Sequence, residues 1–293
     1  MMRKKPMLAY PASDKPIDYT KPVYIQPKLD GVRCLIQYEI PFGSGHIPNS
    51  GKVVAYSRTG KEWKNIDHIL QSLKPFFIDN PNVILDGELY NHDLRDDFET
   101  IISLVRRQKP DDIDMLESRD LVQFHCYDCI DIGLVDASFE NRMNFITHHV
   151  PSSYCVKHVT TDRVYKHEEA LDIHHNANLV NGYEGSILRT NDPYACKRSH
   201  NLRKFKDFHD TEATIIGFVE GKGKRVGTIG KFMAIDADGN EFGMPVMDNF
   251  KKLRTMFKEM QTWVGKTATF TYFERTKAGS YRHPLFKAIR DYE

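Results

Sequence analysis

The residues best suited to chemistry lie in the segment Gln26-Pro-Lys-Leu-Asp-Gly-Val-Arg-Cys34. A single lysine, Lys28, follows the strand-like run Val23–Ile25 and precedes Asp30-Gly31 and Arg33. Cys34-Leu35-Ile36 resumes the strand-like character. Asp30-Gly31 therefore reads as a two-residue hairpin turn that sets Lys28 at the mouth of a pocket, with Arg33 on the returning strand. A lysine placed there can attack phosphorus or carbon once it is neutral. With a free pKa of ~10.4, only about one lysine in a thousand is neutral near physiological pH, so nearby cations or burial must favour the amine. Asp30 acts in the opposite sense, which calls for further basic residues or a metal ion close by. On spacing alone, an ordinary Asp-Gly hairpin that exposes a lysine is the simpler reading.

Further segments carry complementary groups. Tyr56-Ser-Arg-Thr-Gly-Lys61 contains Arg58, Leu85-Asp-Gly-Glu-Leu-Tyr90 contains Glu88, and Phe124-His-Cys-Tyr-Asp128 contains Tyr127. Glu184-Gly-Ser-Ile-Leu-Arg189 holds Glu184 and Arg189, and Leu202-Arg-Lys-Phe-Lys206 offers Lys204 and Lys206. Taken singly, each has a bland explanation: a turn at Asp86-Gly87, a core tyrosine, a buried strand after Glu184, solvated lysines at 204 and 206.

Taken in order, these segments resemble the motifs of ATP-dependent DNA ligases, members of a covalent nucleotidyltransferase superfamily that also includes RNA ligases and mRNA capping enzymes. The resemblance covers the chain from about Tyr24 to Lys206. It implies that Lys28 becomes adenylated, that Asp30 and Arg33 act at a DNA nick, and that Arg58 contacts the nick phosphate. Glu88 would hold the adenosine ribose and, with Glu184, the metal; Tyr127 would stack on adenine; Lys204 and Lys206 would grip the α-phosphate. Gln26 stands where many ligases have glutamate near the adenine amino group, and its carbonyl can accept the same hydrogen bond. Arg189 stands where the family usually has lysine, keeping the charge on a wider, planar group. Tyr281-Arg-His-Pro-Leu-Phe-Lys-Ala-Ile-Arg290 resembles more loosely the family's terminal arginine-proline-phenylalanine segment, so Arg282, Lys287 and Arg290 are candidates to orient pyrophosphate. The set supplies a nucleophile, a ribose acceptor, an aromatic face, phosphate-binding cations and carboxylates for Mg²⁺, a combination that no core or surface requirement predicts.

The implied fold is α+β: a nucleotidyltransferase (ATP-grasp-like ligase adenylation) domain over residues 1–208, followed by a β-barrel OB-fold domain over 209–293. Apolar spacing predicts helices over Trp63–Phe76, Phe98–Arg107, Phe139–His149 and Glu168–Val180. After Asp207–Asp210 the pattern turns to short strands, Ala213–Val219, Gly230–Ile235, Thr267–Phe273 and Leu285–Ile289, with a turn at Asp238-Gly239. One helix interrupts them, with Phe250, Leu253, Met256, Phe257 and Met260 on one face and Asp248 as N-cap.

The 293 residues carry a net charge of only +1, yet basic residues cluster at Arg106-Arg107-Gln-Lys109 and from Lys197 through Arg203, Lys222, Lys224, Arg225 and Lys231. A phosphate-binding groove is the reading taken here over a solvated face. Two loops suit the grip on a duplex, Pro41–Gly51 and Gly221–Gly227. Five cysteines without regular spacing argue for free thiols in a reducing compartment, and Cys126-x-x-Cys129 lacks a second pair for zinc. No signal peptide or ~20-residue apolar span is present, so the protein is expected to be soluble and intracellular, in the cytoplasm or, as a viral protein, in the host cytoplasm. A monomer is expected. Only about 27 residues precede Lys28. That leaves no room for the large N-terminal domain of cellular eukaryotic ligases or the nicotinamide-recognising domain of NAD-dependent ones, so the expected cofactors are ATP and Mg²⁺ and the expected partner is nicked duplex DNA. The alternatives are an RNA ligase or capping-type nucleotidyltransferase, and a non-catalytic nucleic-acid-binding module.

Overall fold

The computed structural model describes residues 4–40, 51–95, 97–131, 133, 135–206, 209–272, 275 and 279–290. The expected duplex-gripping loop Pro41–Gly51 therefore lies, but for Gly51, outside the described residues. The chain divides into two compact units, Met1–Phe205 and Lys206–Glu293.

In chain order the first unit contains β1 (Leu8–Pro11), β2 (Val23–Pro27), β3 (Val32–Glu39), β4 (Lys52–Tyr56), α1 (Asp67–Asp79) and β5 (Val83–Tyr90). It continues with α2 (Phe98–Arg106), α3 (Asp112–Leu121), β6 (Gln123–Asp131), α4 (Phe139–His149), β7 (Val156–His158) and β8 (Asp162–Val164). A π-helical turn at Glu169–His175 then leads into α5 (Asn176–Val180), β9 (Ser186–Thr190) and β10 (Arg198–Phe205). These strands form two sheets, one ordered β1-β10-β9-β2-β8 and the other β4-β3-β5-β6-β7. The main core lies on the second sheet, where Phe76, Phe77, Phe124, Phe139, Ile69 and Leu73 are buried together.

The expected hairpin around Asp30-Gly31 does not form. β2 pairs antiparallel with β8 and β9, whereas β3 pairs with β4 and β5, so the link after Lys28 crosses from one sheet to the other. Gly31 is needed for contact, not for turn geometry: a Cβ there would meet the Leu89 carbonyl oxygen at 2.5 Å and Glu88 Cγ at 2.6 Å. Lys28 is held on the other sheet's side of this crossing, its N–H donating to the Gly185 carbonyl at 2.9 Å while its own carbonyl accepts from the Glu184 N–H at 3.1 Å.

α1 begins at Asp67 and not at Trp63, because the Trp63 N–H is already donated to the Ala55 carbonyl and the Asn65 amide is donated to the Leu104 and Asp114 carbonyls. α3 was not expected. It presents Asp114 and Ser118 inward and Ile113 and Leu116 outward, the reverse of the usual apolar pattern, and starts from a capping box between Asp111 and Asp114.

The second unit contains β11 (His209–Glu220), β12 (Ile229–Ile235), β13 (Glu241–Pro245), α6 (Phe250–Lys258), α7 (Met260–Trp263), β14 (Thr267–Tyr272) and β15 (Leu285–Ile289). Its sheet is antiparallel in the order β13-β12-β11-β14-β15, and the ladder does not close between β13 and β15 among the described residues. Ile215, Phe232, Met244, Leu253 and Phe270 fill its core. The α6 N-cap is Asn249, which accepts from the Lys252 N–H at 3.0 Å; Asp248 instead pairs with the Lys252 ammonium at 2.6 Å. Phe250 and Met260 depart from the expected apolar face, Phe250 being exposed and Met260 opening α7.

Gly185 combines a φ of +142° with a Cβ position that would run into the Phe205 carbonyl oxygen. Gly185→Ala is expected to destabilise the first unit by roughly 2 kcal/mol or more, read as a drop in the urea midpoint. An unchanged midpoint would show that the close approach of these strands is not required.

Candidate active site

Within the first unit a cavity of about 230 Å³ is lined by Gln26, Lys28, Arg33, Arg58, Glu88, Tyr127, Arg189 and Lys204, among others. Residues dispersed over more than half the sequence thus converge on Lys28. β2 brings Gln26, β3 Arg33, β5 Glu88, β6 Tyr127, β9 Arg189 and β10 Lys204. Glu184 completes the surroundings by pairing with the Lys28 ammonium. A second cavity of about 460 Å³ shares Arg33, Arg58 and Glu88 with the first and adds Lys61, Arg106, Ser57, Thr59, Trp63, Phe98 and Ile102.

The walls are fixed by two buried carboxylates that sequence reasoning passed over. Asp86, fully buried on β5, accepts from Arg33 Nε at 2.6 Å and from a second nitrogen of the same guanidinium. Asp128, fully buried on β6, accepts from Arg142 Nε at 2.7 Å and from Arg189 Nη1 at 2.6 Å. Burial opposes the Arg33 charge, but the groups around it, Asp86 foremost with Tyr127 and Tyr194, together offset it and keep the guanidinium protonated. A signal for both acids was available: each follows or precedes apolar residues inside a strand, Ile84-Leu85 before Asp86 and Cys129-Ile130 after Asp128, where a buried carboxylate needs a cationic partner.

Tyr127 sits between these arrays. Its ring centroid lies 5.0 Å from Arg33 Cζ and 5.3 Å from Arg189 Cζ, and its hydroxyl donates to Glu88 Oε2 at 3.1 Å. Gln26 Oε1 accepts from Arg189 Nε at 2.7 Å, while its amide nitrogen donates to Thr161 Oγ1 and the Tyr127 carbonyl. The carbonyl keeps a second lone pair for an incoming donor.

Several candidates stand elsewhere. Lys206 opens the second unit, and Arg282, Lys287 and Arg290 belong to it. There Lys287 pairs with Asp210, and Arg290 with Glu212 at 2.7 Å. Of the basic clusters, Arg203 is buried, donating to the His200 and Lys15 carbonyls, and Arg107 pairs with Asp114. Arg225 holds its own loop by donating to the Val246 carbonyl at 2.9 Å. Cys126 and Cys129 lie within β6, buried as free thiols, and burial pushes both thiols up. Among the described residues no group of three or more His, Cys, Asp or Glu is placed to hold a metal, and no helix is long and apolar enough to cross a membrane.

The fold is of the mixed α/β nucleotidyltransferase type found in ligases. The family model for the ATP dependent DNA ligase domain matches residues 6–206, and the chain belongs to that family. A DNA ligase of African swine fever virus is 28% identical over 223 residues, 72% of this chain and 48% of that protein. A second isolate's DNA ligase is 30% identical over 221 residues with the same shares. The chain spans about half the length of the curated relatives it matches. Among solved structures, one from a study of DNA binding with a minimal scaffold by Lig E DNA ligases aligns with a TM-score of 0.74 at 22% identity, covering 99% of this chain and 100% of that one. The ATP-dependent DNA ligase of bacteriophage T7, in complex with ATP, gives 0.53 at 18% identity, covering 98% of each. At these identities the structural likeness shows the fold.

Burial pushes the Glu88 carboxyl up to about 7, against the opposing pull of Arg33 and Lys28. A raised folded-state pKa means that the folded chain retains a proton the unfolded chain has released. The resulting stability is full below the ordinary carboxyl range and is lost as pH rises to about 7. Melting temperatures across that window should fall more steeply for the wild type than for Glu88→Gln. Parallel profiles would show that Glu88 does not titrate there.

Proposed function

We propose that this chain is an ATP-dependent DNA ligase that seals nicks between a 5′-phosphate and a 3′-hydroxyl through a lysyl-AMP intermediate. The observation that carries this reading is the convergence of Gln26, Arg33, Arg58, Glu88, Tyr127, Arg189 and Lys204 on the cavity that holds Lys28. In the first step Lys28 Nζ attacks the α-phosphorus of ATP, and the bond to pyrophosphate breaks. Glu184, paired with the Lys28 ammonium, is placed to take its proton, so that the neutral amine forms the N–P bond as pyrophosphate leaves with the electron pair of the bond that breaks. Lys204 and Lys206 balance the phosphoryl charge, Glu88 accepts from the ribose hydroxyls, and adenine meets Tyr127 with its amino group toward Gln26. The family resemblance assigns Arg282, Lys287 and Arg290, which belong to the second unit, to orienting the pyrophosphate.

Glu184 and Glu88 offer hard oxygen ligands suited to Mg²⁺, which takes one or two carboxylates and fills its remaining positions with water and phosphate. When bound there it would supply charge neutralisation at the transferring phosphoryl group. The adenylate then passes to the 5′-phosphate of the nick, met by Arg33 and Arg58, which line the second cavity, with Asp30 assigned to the same step by the resemblance, and the 3′-hydroxyl attacks the activated phosphate and expels AMP.

The second unit is read as an OB-fold domain. Its long strand β11 pairs with β14 through His209–Thr214 and with β12 through Thr214–Glu220, with register shifts that bend it, as a small barrel requires. Lys222 and Lys224 meet duplex phosphates from its basic loop. The chain acts as a cytoplasmic monomer.

Sealing of nicked duplexes with DNA or RNA on each side of the nick tests the reading. DNA–DNA nicks are expected to be sealed with ATP and Mg²⁺, and Glu184→Ala and Lys204→Ala to cut sealing by about two orders of magnitude or more without lowering the melting temperature. Sealing of RNA alone, or loss of activity proportionate to loss of stability, would contradict it.

A further inference from the structure

Tyr194 lies in the connection between β9 and β10, outside every segment that carries the family resemblance. Its hydroxyl donates to Asp86 Oδ2 at 2.6 Å and accepts from the Met7 N–H at 2.8 Å. The same Asp86 oxygen receives Arg33, whose Nη2 also donates to the Met7 carbonyl at 3.2 Å. Tyr194, Asp86, Arg33 and Met7 therefore close a ring of hydrogen bonds. On its other side the Tyr194 ring lies 5.7 Å from Arg142 Cζ, the cation that shares Asp128 with Arg189. Tyr194 thus touches both carboxylate–arginine arrays, and unlike Tyr127, which meets their guanidiniums through its ring, it bonds directly to one of the carboxylates.

This placement bears on Arg33 chemically. With Nε and Nη2 committed to Asp86 and Met7, Nη1 is the guanidinium nitrogen left without a partner among the described residues, in a side chain that lines both cavities. A carboxylate sharing its charge with a phenol holds a guanidinium in one orientation, and that orientation decides whether a phosphate meets Nη1 head-on. Burial pushes the Tyr194 phenol well above its ordinary range, so it remains a donor throughout neutral pH.

We propose that Tyr194 is a positioning residue for acceptor-phosphate recognition: through Asp86 it orients Arg33 toward the 5′-phosphate in the second half-reaction, with no part in the attack of Lys28 on ATP. The inference rests on the ligase reading above and adds to it a residue that the family resemblance does not single out.

The test separates the half-reactions. Full-length wild type and Tyr194→Phe are incubated with α-labelled ATP and Mg²⁺ to measure adenylate formation, then the isolated adenylated proteins are mixed with nicked duplex DNA to measure transfer. Tyr194→Phe should form adenylate within about twofold of wild type and transfer it about tenfold more slowly, the loss expected from one hydrogen bond to a charged group. In an Arg33→Ala background, Tyr194→Phe should slow transfer no further, because the group it orients is gone. Equal slowing of both half-reactions with a matching fall in melting temperature would reduce Tyr194 to a packing residue. Persistence of its effect without Arg33 would overturn the route through that guanidinium. A wild-type chain that forms adenylate and transfers it, beside an indistinguishable Tyr194→Phe, would refute the inference while sparing the ligase reading, whereas a wild type that forms no adenylate removes both.

Discussion

Two aspartates buried in one sheet, Asp86 and Asp128, govern how the first unit can be built. Each has no exposure to water, and each is matched by arginine: Arg33 for the first, Arg142 and Arg189 for the second. Removing one member of such a pair costs about 3–5 kcal/mol, because the remaining charge is stranded in a medium that cannot solvate it. Asp128 belongs to the β4-β3-β5-β6-β7 sheet and Arg189 to the β1-β10-β9-β2-β8 sheet, so their ion pair fastens the two sheets together. Gln26 repeats the link by bonding to Arg189 on its own sheet and to the Tyr127 carbonyl on the other. The cavity lies along this seam, and its walls are rigid because they are made of charges that cannot be left alone.

That arrangement places chemistry and selectivity on opposite sides of shared residues. Arg33, Arg58 and Glu88 line both cavities, so the two spaces share a wall. The smaller cavity contains Lys28, the proposed nucleophile; the larger is lined by Lys61 and Arg106 together with the apolar Trp63, Phe98 and Ile102, a combination suited to phosphate joined to sugar. The Lys28 ammonium rests on Glu184, a pairing that the proposed reaction has to rearrange before the amine can react.

The sequence made Lys28, Glu88, Tyr127, Arg189 and Lys204 legible because each sits in a short segment whose neighbours carry the signal. Their partners were harder to see. Tyr194, Arg142 and Met7 are remote in sequence from the groups they hold, and nothing local marks them. The Asp30-Gly31 reading failed because a turn signature describes the bend and not the strands' destinations; here β2 and β3 leave it for different sheets, and the glycine serves a close approach to Leu89. Periodicity recovered α2, α4, β12 and β15 closely, gave β11 four residues short at its start, passed over β13, and missed α3 because its inward face is Asp114 and Ser118. The Asp248 cap was displaced by one residue because Asn249 offers the same acceptor one position nearer the first turn.

The central claim is that Lys28 carries the nucleotide. Peptide mass spectrometry of the protein after incubation with ATP and Mg²⁺, followed by proteolysis under alkaline conditions that preserve a phosphoramidate, reads it directly. The account predicts one adenylyl group, located at Lys28 within the Val23–Arg33 stretch. An adenylyl group on Lys204, Lys206 or any other residue, or none at all in a folded protein, would contradict it.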